Sequence, residues 1–60
     1  MDSLTKEEFH TLARTGELML TTERDEEQIA THLIKDHGWI NVDIHYEKDT
    51  EAGWLRLWID

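Results

Sequence analysis

Cysteine and proline are both missing from this chain of 60 residues. Without cysteine there is neither a disulfide nor a thiolate metal site to staple the fold, and a chain this short buries only about 60% of its unfolded surface. Stability must therefore come from good packing or from a partner, which makes oligomerisation an expectation from the outset. Basic residues are scarce as well: six Lys and Arg stand against fourteen Asp and Glu, a formal charge of −8, and no third of the chain is net basic. Such a surface repels nucleic-acid phosphates and anionic lipid heads and favours basic protein partners. Long apolar runs are also lacking, none approaching the roughly 18 residues that span a bilayer. The opening "MDSLTKEEF" has no basic and then apolar order of a signal peptide. The expected setting is the cytoplasm, with no membrane and no direct nucleic-acid contact.

What is present suits a folded domain. Hydrophobic residues make up 38% and charged residues 33%, and three tryptophans in so small a chain support a real core. No repeat, low-complexity tract or linker divides the chain, so residues 1–60 are expected to form a single α+β domain.

"LTKEEFHTLARTG" (4–16) predicts a helix. Thr5 is its N-cap, Glu8 completes a capping box, Leu4 and Phe9 are spaced as a hydrophobic staple, and Gly16 ends it. Its apolar stripe of Phe9, Leu12 and Ala13 is narrow. "ELMLTT" (17–22) then reads as a brief strand. The strongest helix is "RDEEQIATHLIKDHG" (24–38): Asp25 and Gln28 form a cap pair, Ile29, Ala30, Leu33 and Ile34 share a face, and Gly38 follows Lys35 and His37 of the last turn.

From residue 39 the period changes to two. In "WINVDIHYE", Ile40, Val42, Ile44 and Tyr46 alternate with Asn41, Asp43, His45 and Glu47, and "WLRLWID" returns after the polar loop "KDTEAG". Residues 39–60 thus predict a hairpin, and the order becomes α-β-α-β-β. Inserting the last strand between the other two gives a mostly antiparallel three-stranded sheet with the main helix, about 25–37, on one face; the competing topology pairs the first two strands directly.

Matching the apolar sets puts Leu55, Leu57 and Ile59 with Ile40, Val42, Ile44 and Tyr46 under the main helix. Trp54, Arg56 and Trp58 are left on the far face beside Asp43 and His45. Trp and Arg are the residue types most enriched at binding hot spots, so this face is a candidate docking platform. The competing expectation is that the first helix swings across and covers the indoles with Phe9 and Leu12; stacking of a small ligand is a third. The acidic cluster Glu23, Asp25, Glu26 and Glu27 either contacts a basic partner or compensates a helix dipole in solvent. The histidines His10, His32, His37 and His45 make no recognised ligand spacing; His32 and Asp36 share a helix face while His37 points elsewhere, and surface histidines are expected. No phosphate loop or nucleophile motif is present, so neither catalysis nor a cofactor is expected.

The expectation that emerges is a small acidic protein-interaction module, an inhibitor or adaptor that binds a basic protein surface and self-associates as a homodimer. Its partner-binding residues are Trp54, Arg56, Trp58, Asp43, His45, Glu23, Glu26 and Glu27. The alternative is a winged-helix nucleic-acid-binding domain, because a helix followed by a hairpin can be the back half of one; such a helix should offer basic or polar groups to the major groove, whereas this one carries Glu26, Glu27 and Asp36.

Overall fold

The computed structural model describes residues 2–60. Helix α1 spans Lys6–Thr15, strand β1 Glu17–Thr21, helix α2 Glu26–His37, strand β2 Ile44–Asp49 and strand β3 Trp54–Ile59. The sheet order is β1-β3-β2, with β3 antiparallel to both neighbours. The last strand therefore lies in the middle, as its apolar content demands, and direct pairing of β1 with β2 is not seen.

Local chemistry sets the helix ends. Thr5 accepts the Glu8 backbone N–H at 3.2 Å, and the Glu8 carboxylate accepts the Thr5 N–H at 2.9 Å, a reciprocal capping box that satisfies two otherwise orphaned donors. Gly16, at φ 78°, ends α1 by donating its N–H to the Leu12 carbonyl at 2.8 Å. That left-handed conformation costs glycine least, and it turns the chain directly into β1. Asp25 caps α2 by accepting from the N–H groups of Glu27 and Gln28. Gln28 does not reciprocate as expected: its side-chain oxygen accepts the Asp2 N–H at 2.6 Å and so ties the start of the chain to α2.

Both helices lie on the same face of the sheet. Leu12 of α1 and Ile29 and Leu33 of α2 are fully buried, in one cluster with Leu4, Leu18 and Leu57. Phe9, Leu20, Trp39, Ile44 and Ile59 are packed around it. Complete burial of a Leu or Ile side chain is worth about 1.5–3 kcal/mol, so a domain this small depends on a handful of such residues. Among the described residues no helix is long and apolar enough to cross a membrane.

Several expected positions move. The second strand begins at Ile44 rather than at 39, because residues 40–42 turn; Trp39 packs on the core, while Ile40 is 74% exposed. Alternation in "WINV" marked two-sidedness but not backbone extension. Ile34, placed on the buried face of α2, is exposed, and Tyr46 lies on the helix side of edge strand β2 yet stays 53% exposed. His37 does not point away from His32: the two rings meet edge-on with centroids 5.0 Å apart, and Phe9 stacks on His37 at 3.9 Å.

Candidate functional site: the uncovered sheet face

Strand alternation divides the sheet into two surfaces. Leu18, Leu20, Leu55 and Leu57 point toward the helices. The opposite surface is a three-by-three array set by the register, with Glu17, Trp58 and His45 in one row, Met19, Arg56 and Glu47 in the next, and Thr21, Trp54 and Asp49 in the third. Trp54, Arg56 and Trp58 form its central column because β3 is the middle strand.

The first helix does not cover this surface. Leu12 is in the core on the other side, and Phe9 is engaged with His37 and Trp39, so the expected cover by Phe9 and Leu12 is overturned. Trp58 is instead packed against neighbours in the array. His45 stacks on Trp58 with centroids 5.6 Å apart and planes 23° from parallel. The Arg56 guanidinium lies 4.5 Å from the Trp58 ring centroid, an attractive cation–π arrangement, while its Nη2 donates to Glu17 Oε2 at 2.6 Å. These contacts hold the Trp58 ring in place; Trp54, Arg56 and Trp58 are half-buried and Met19 is 54% exposed.

The electrostatics are asymmetric. Arg56 is matched by Glu17 on the β1 side. On the β2 side, His45 meets Asp60 at 3.0 Å, Asp49 accepts the N–H groups of Glu51 and Ala52 in the hairpin turn, and no ion pair joins Glu47 to another described residue. Asp43 lies one step before β2 and is exposed; its carbonyl accepts the Asp60 N–H at 3.1 Å, so the strand register continues through it. The aromatic column is thus bordered by carboxylates on its β2 flank.

The other expected site residues lie elsewhere. Glu23 and Glu27 are exposed on the β1–α2 connection and the first turn of α2, and Glu26 reaches Lys48 at 3.4 Å. Together with Arg24 they border a shallow polar cleft of about 390 Å³. Arg24, the single base in this acidic run, was not singled out by its sequence context, yet it organises the region: Nε donates to Asp2 at 2.9 Å, Nη1 to Glu8 at 2.7 Å and Nη2 to the Ser3 carbonyl at 2.9 Å. Hydrogen bonding to Glu8, outweighing the opposing effect of burial, strengthens the hold of Arg24 on its proton. The Glu8 carboxyl is correspondingly held below its usual range by the Arg24 hydrogen bond. At Asp2 burial raises the pKa, but the Asp25 N–H and Arg24 outweigh it and the net shift is downward. Asp25 serves as a helix cap, so this cluster is first of all structural.

Glu17 and Met19 were also missed as members of the array; the alternation of Glu17, Met19 and Thr21 with Leu18 and Leu20 was the signal that placed them. Among the described residues no group of three or more His, Cys, Asp or Glu side chains is placed to hold a metal ion. No family model, curated protein or solved structure matches the chain.

Proposed function

We propose that the protein is a small interaction module that docks its uncovered sheet face on a basic surface of a partner protein, acting as an inhibitor or adaptor in the cytoplasm. The observation that carries this reading is that Trp54 and Trp58 lie on the middle strand of a sheet face that neither helix covers. Rigid aromatic and Arg side chains at the middle of an interface typically dominate its energy, and a charged rim governs encounter. The carboxylates of Glu47, Asp49 and Asp43 on the β2 flank, together with the overall charge of −8, match a basic partner rather than an acidic one. The winged-helix alternative has less behind it: the exposed charged residues of α2, the helix before the hairpin, include Glu27 and Asp36 against Lys35, no net positive complement to phosphate.

Affinity capture with wild type and Trp58→Ala, each at low and high salt and followed by mass spectrometry, tests the proposal. Support requires a basic protein that wild type retains at low salt and that both the substitution and added salt release. Identical retention by both variants would remove the indole face from the mechanism. Sedimentation of wild type alone tests the remaining occupant: a dimer dissolved by Trp58→Ala would assign the face to a second copy of the chain.

A further inference from the structure

The two edges of the sheet are not equivalent. In an antiparallel pair, opposed residues alternate between those that exchange backbone hydrogen bonds and those whose N–H and C=O groups point away. The bonds from Ile59 N–H to the Gly16 carbonyl and from Thr22 N–H to the Gly53 carbonyl fix the phase of the β1–β3 ladder. They leave Glu17, Met19 and Thr21 facing the outer edge of β1. That edge is half occupied: Thr15 Oγ1 contacts both the N–H and the carbonyl of Glu17, and Arg24 N–H donates to the Thr21 carbonyl. The bond from Asp60 N–H to the Asp43 carbonyl fixes the β2–β3 ladder in the same way and leaves Ile44, Tyr46 and Lys48 facing outward from β2. Among the described residues no hydrogen bond caps this second row of donors and acceptors.

The side chains along the open edge also alternate. Asp43, His45, Glu47 and Asp49 form an acidic row continuous with the tryptophan face, while Ile44 and the exposed Tyr46 lie toward the helices. β2 contains no proline to blunt its edge, and its only lysine, Lys48, is drawn toward Glu26 at 3.4 Å.

We propose that β2 accepts an extended segment of a basic partner as a fourth strand, in which Lys or Arg alternates with apolar β-branched residues. The basic side chains of that segment face Glu47 and its acidic neighbours, its apolar side chains cover Tyr46 and Ile44, and its backbone pairs with Ile44, Tyr46 and Lys48. Main-chain pairing then provides affinity and the two alternating rows provide selectivity. This deepens the docking function proposed above and rests on it for the basic character of the partner, but it uses the sheet edge rather than the indoles.

A short synthetic peptide alternating lysine and valine, compared with an isomer that has the same residues in separate blocks, tests the edge directly. Amide hydrogen exchange on wild type should show slowed exchange at Tyr46 and Lys48 when the alternating peptide binds, and the block isomer should bind more weakly. Tyr46→Pro removes an outward N–H that the internal ladder does not use, and proline is tolerated at such edge positions. It should weaken peptide binding about tenfold, the usual result of losing one hydrogen bond and leaving its acceptor unpaired, whereas Tyr46→Val should retain most of the affinity. If Tyr46→Pro does not fold, amide exchange on wild type decides the matter. Absence of peptide binding overturns the edge proposal. Binding without protection of these amides, and sensitive to Trp58→Ala, would overturn it while upholding docking through the indole face. Protection that appears without peptide as protein concentration rises would give the edge to a second copy and likewise overturn it.

Discussion

Trp58 and His45 stand directly opposite each other on β3 and β2, their rings stacked with centroids 5.6 Å apart. Stacking on one side and the Arg56 guanidinium 4.5 Å from the ring centroid hold the indole in a fixed pose before any partner arrives. A side chain already immobilised loses little rotamer entropy on binding. Trp58→Ala should therefore weaken partner binding by about 2 kcal/mol or more, as central aromatic anchors do, while stability falls by less. Titration calorimetry against the captured partner and chemical denaturation of both variants provide the two numbers. A larger loss of stability than of binding would make Trp58 a structural residue.

Leu57 lies at the centre of the opposite face, 1% exposed, directly between Leu18 and Tyr46 across the sheet. Leu57→Ala is expected to cost about 2–5 kcal/mol through lost burial and the cavity left behind. Glu51→Ala, in the exposed hairpin loop, should be nearly silent, because its bond to Asp49 comes from the backbone N–H. Equal denaturation midpoints for the two would contradict the assignment of faces.

Glu8 and Asp2 together make stability depend on acid pH. Both carboxyls titrate below their ordinary values in the folded state, Glu8 through its hydrogen bond to Arg24 and Asp2 because hydrogen bonds from Asp25 and Arg24 outweigh burial. A depressed folded pKa contributes stability that is fully present above the unfolded value, here 4.5 for Glu8 and 3.8 for Asp2. That stability is lost as pH falls through the lower folded values. Urea midpoints should therefore be level near neutrality and decline as pH drops below about 4.5, the start of titration in the unfolded chain. Arg24→Met should lower the neutral plateau and flatten the acid decline, since it removes the cation that depresses both groups. An unchanged acid profile in that variant would exclude the Arg24 network as its source.

Association with a basic partner should slow as salt rises, because screening weakens attraction between exposed charges beyond about 8–10 Å at physiological ionic strength. Dissociation should change little, since rim charges act mainly on encounter. Stopped-flow rates across a salt series measure both. A dissociation rate that rises as steeply as the association rate falls would indicate that carboxylates are buried in the contact rather than arranged around it.

The helix boundaries and the division of β3 into two faces were legible from the sequence because each rests on local or periodic chemistry, whereas the sequence left two strand orders open and only the long-range pairing placed β3 in the middle. Thr5 with Glu8, Asp25, Gly16 and Gly38 act on their own neighbouring backbone, and the alternation of Leu55, Leu57 and Ile59 with Trp54, Arg56 and Trp58 needs only the pleat. Residues 39–43 misled because alternating hydrophobicity does not distinguish a strand from a turn with one packed residue, Trp39. Tertiary structure alone decided which features meet across the chain. It joined Arg24 to Glu8 and Asp2, placed Phe9 on His37 and Trp39 instead of on Trp54 and Trp58, and brought Glu17 beside Arg56 across 39 positions of sequence. It also put both helices on one side of the sheet. A three-stranded sheet in so short a chain has only enough apolar helix surface to cover one of its two faces, so the other, with Trp54 and Trp58 at its centre, was left open.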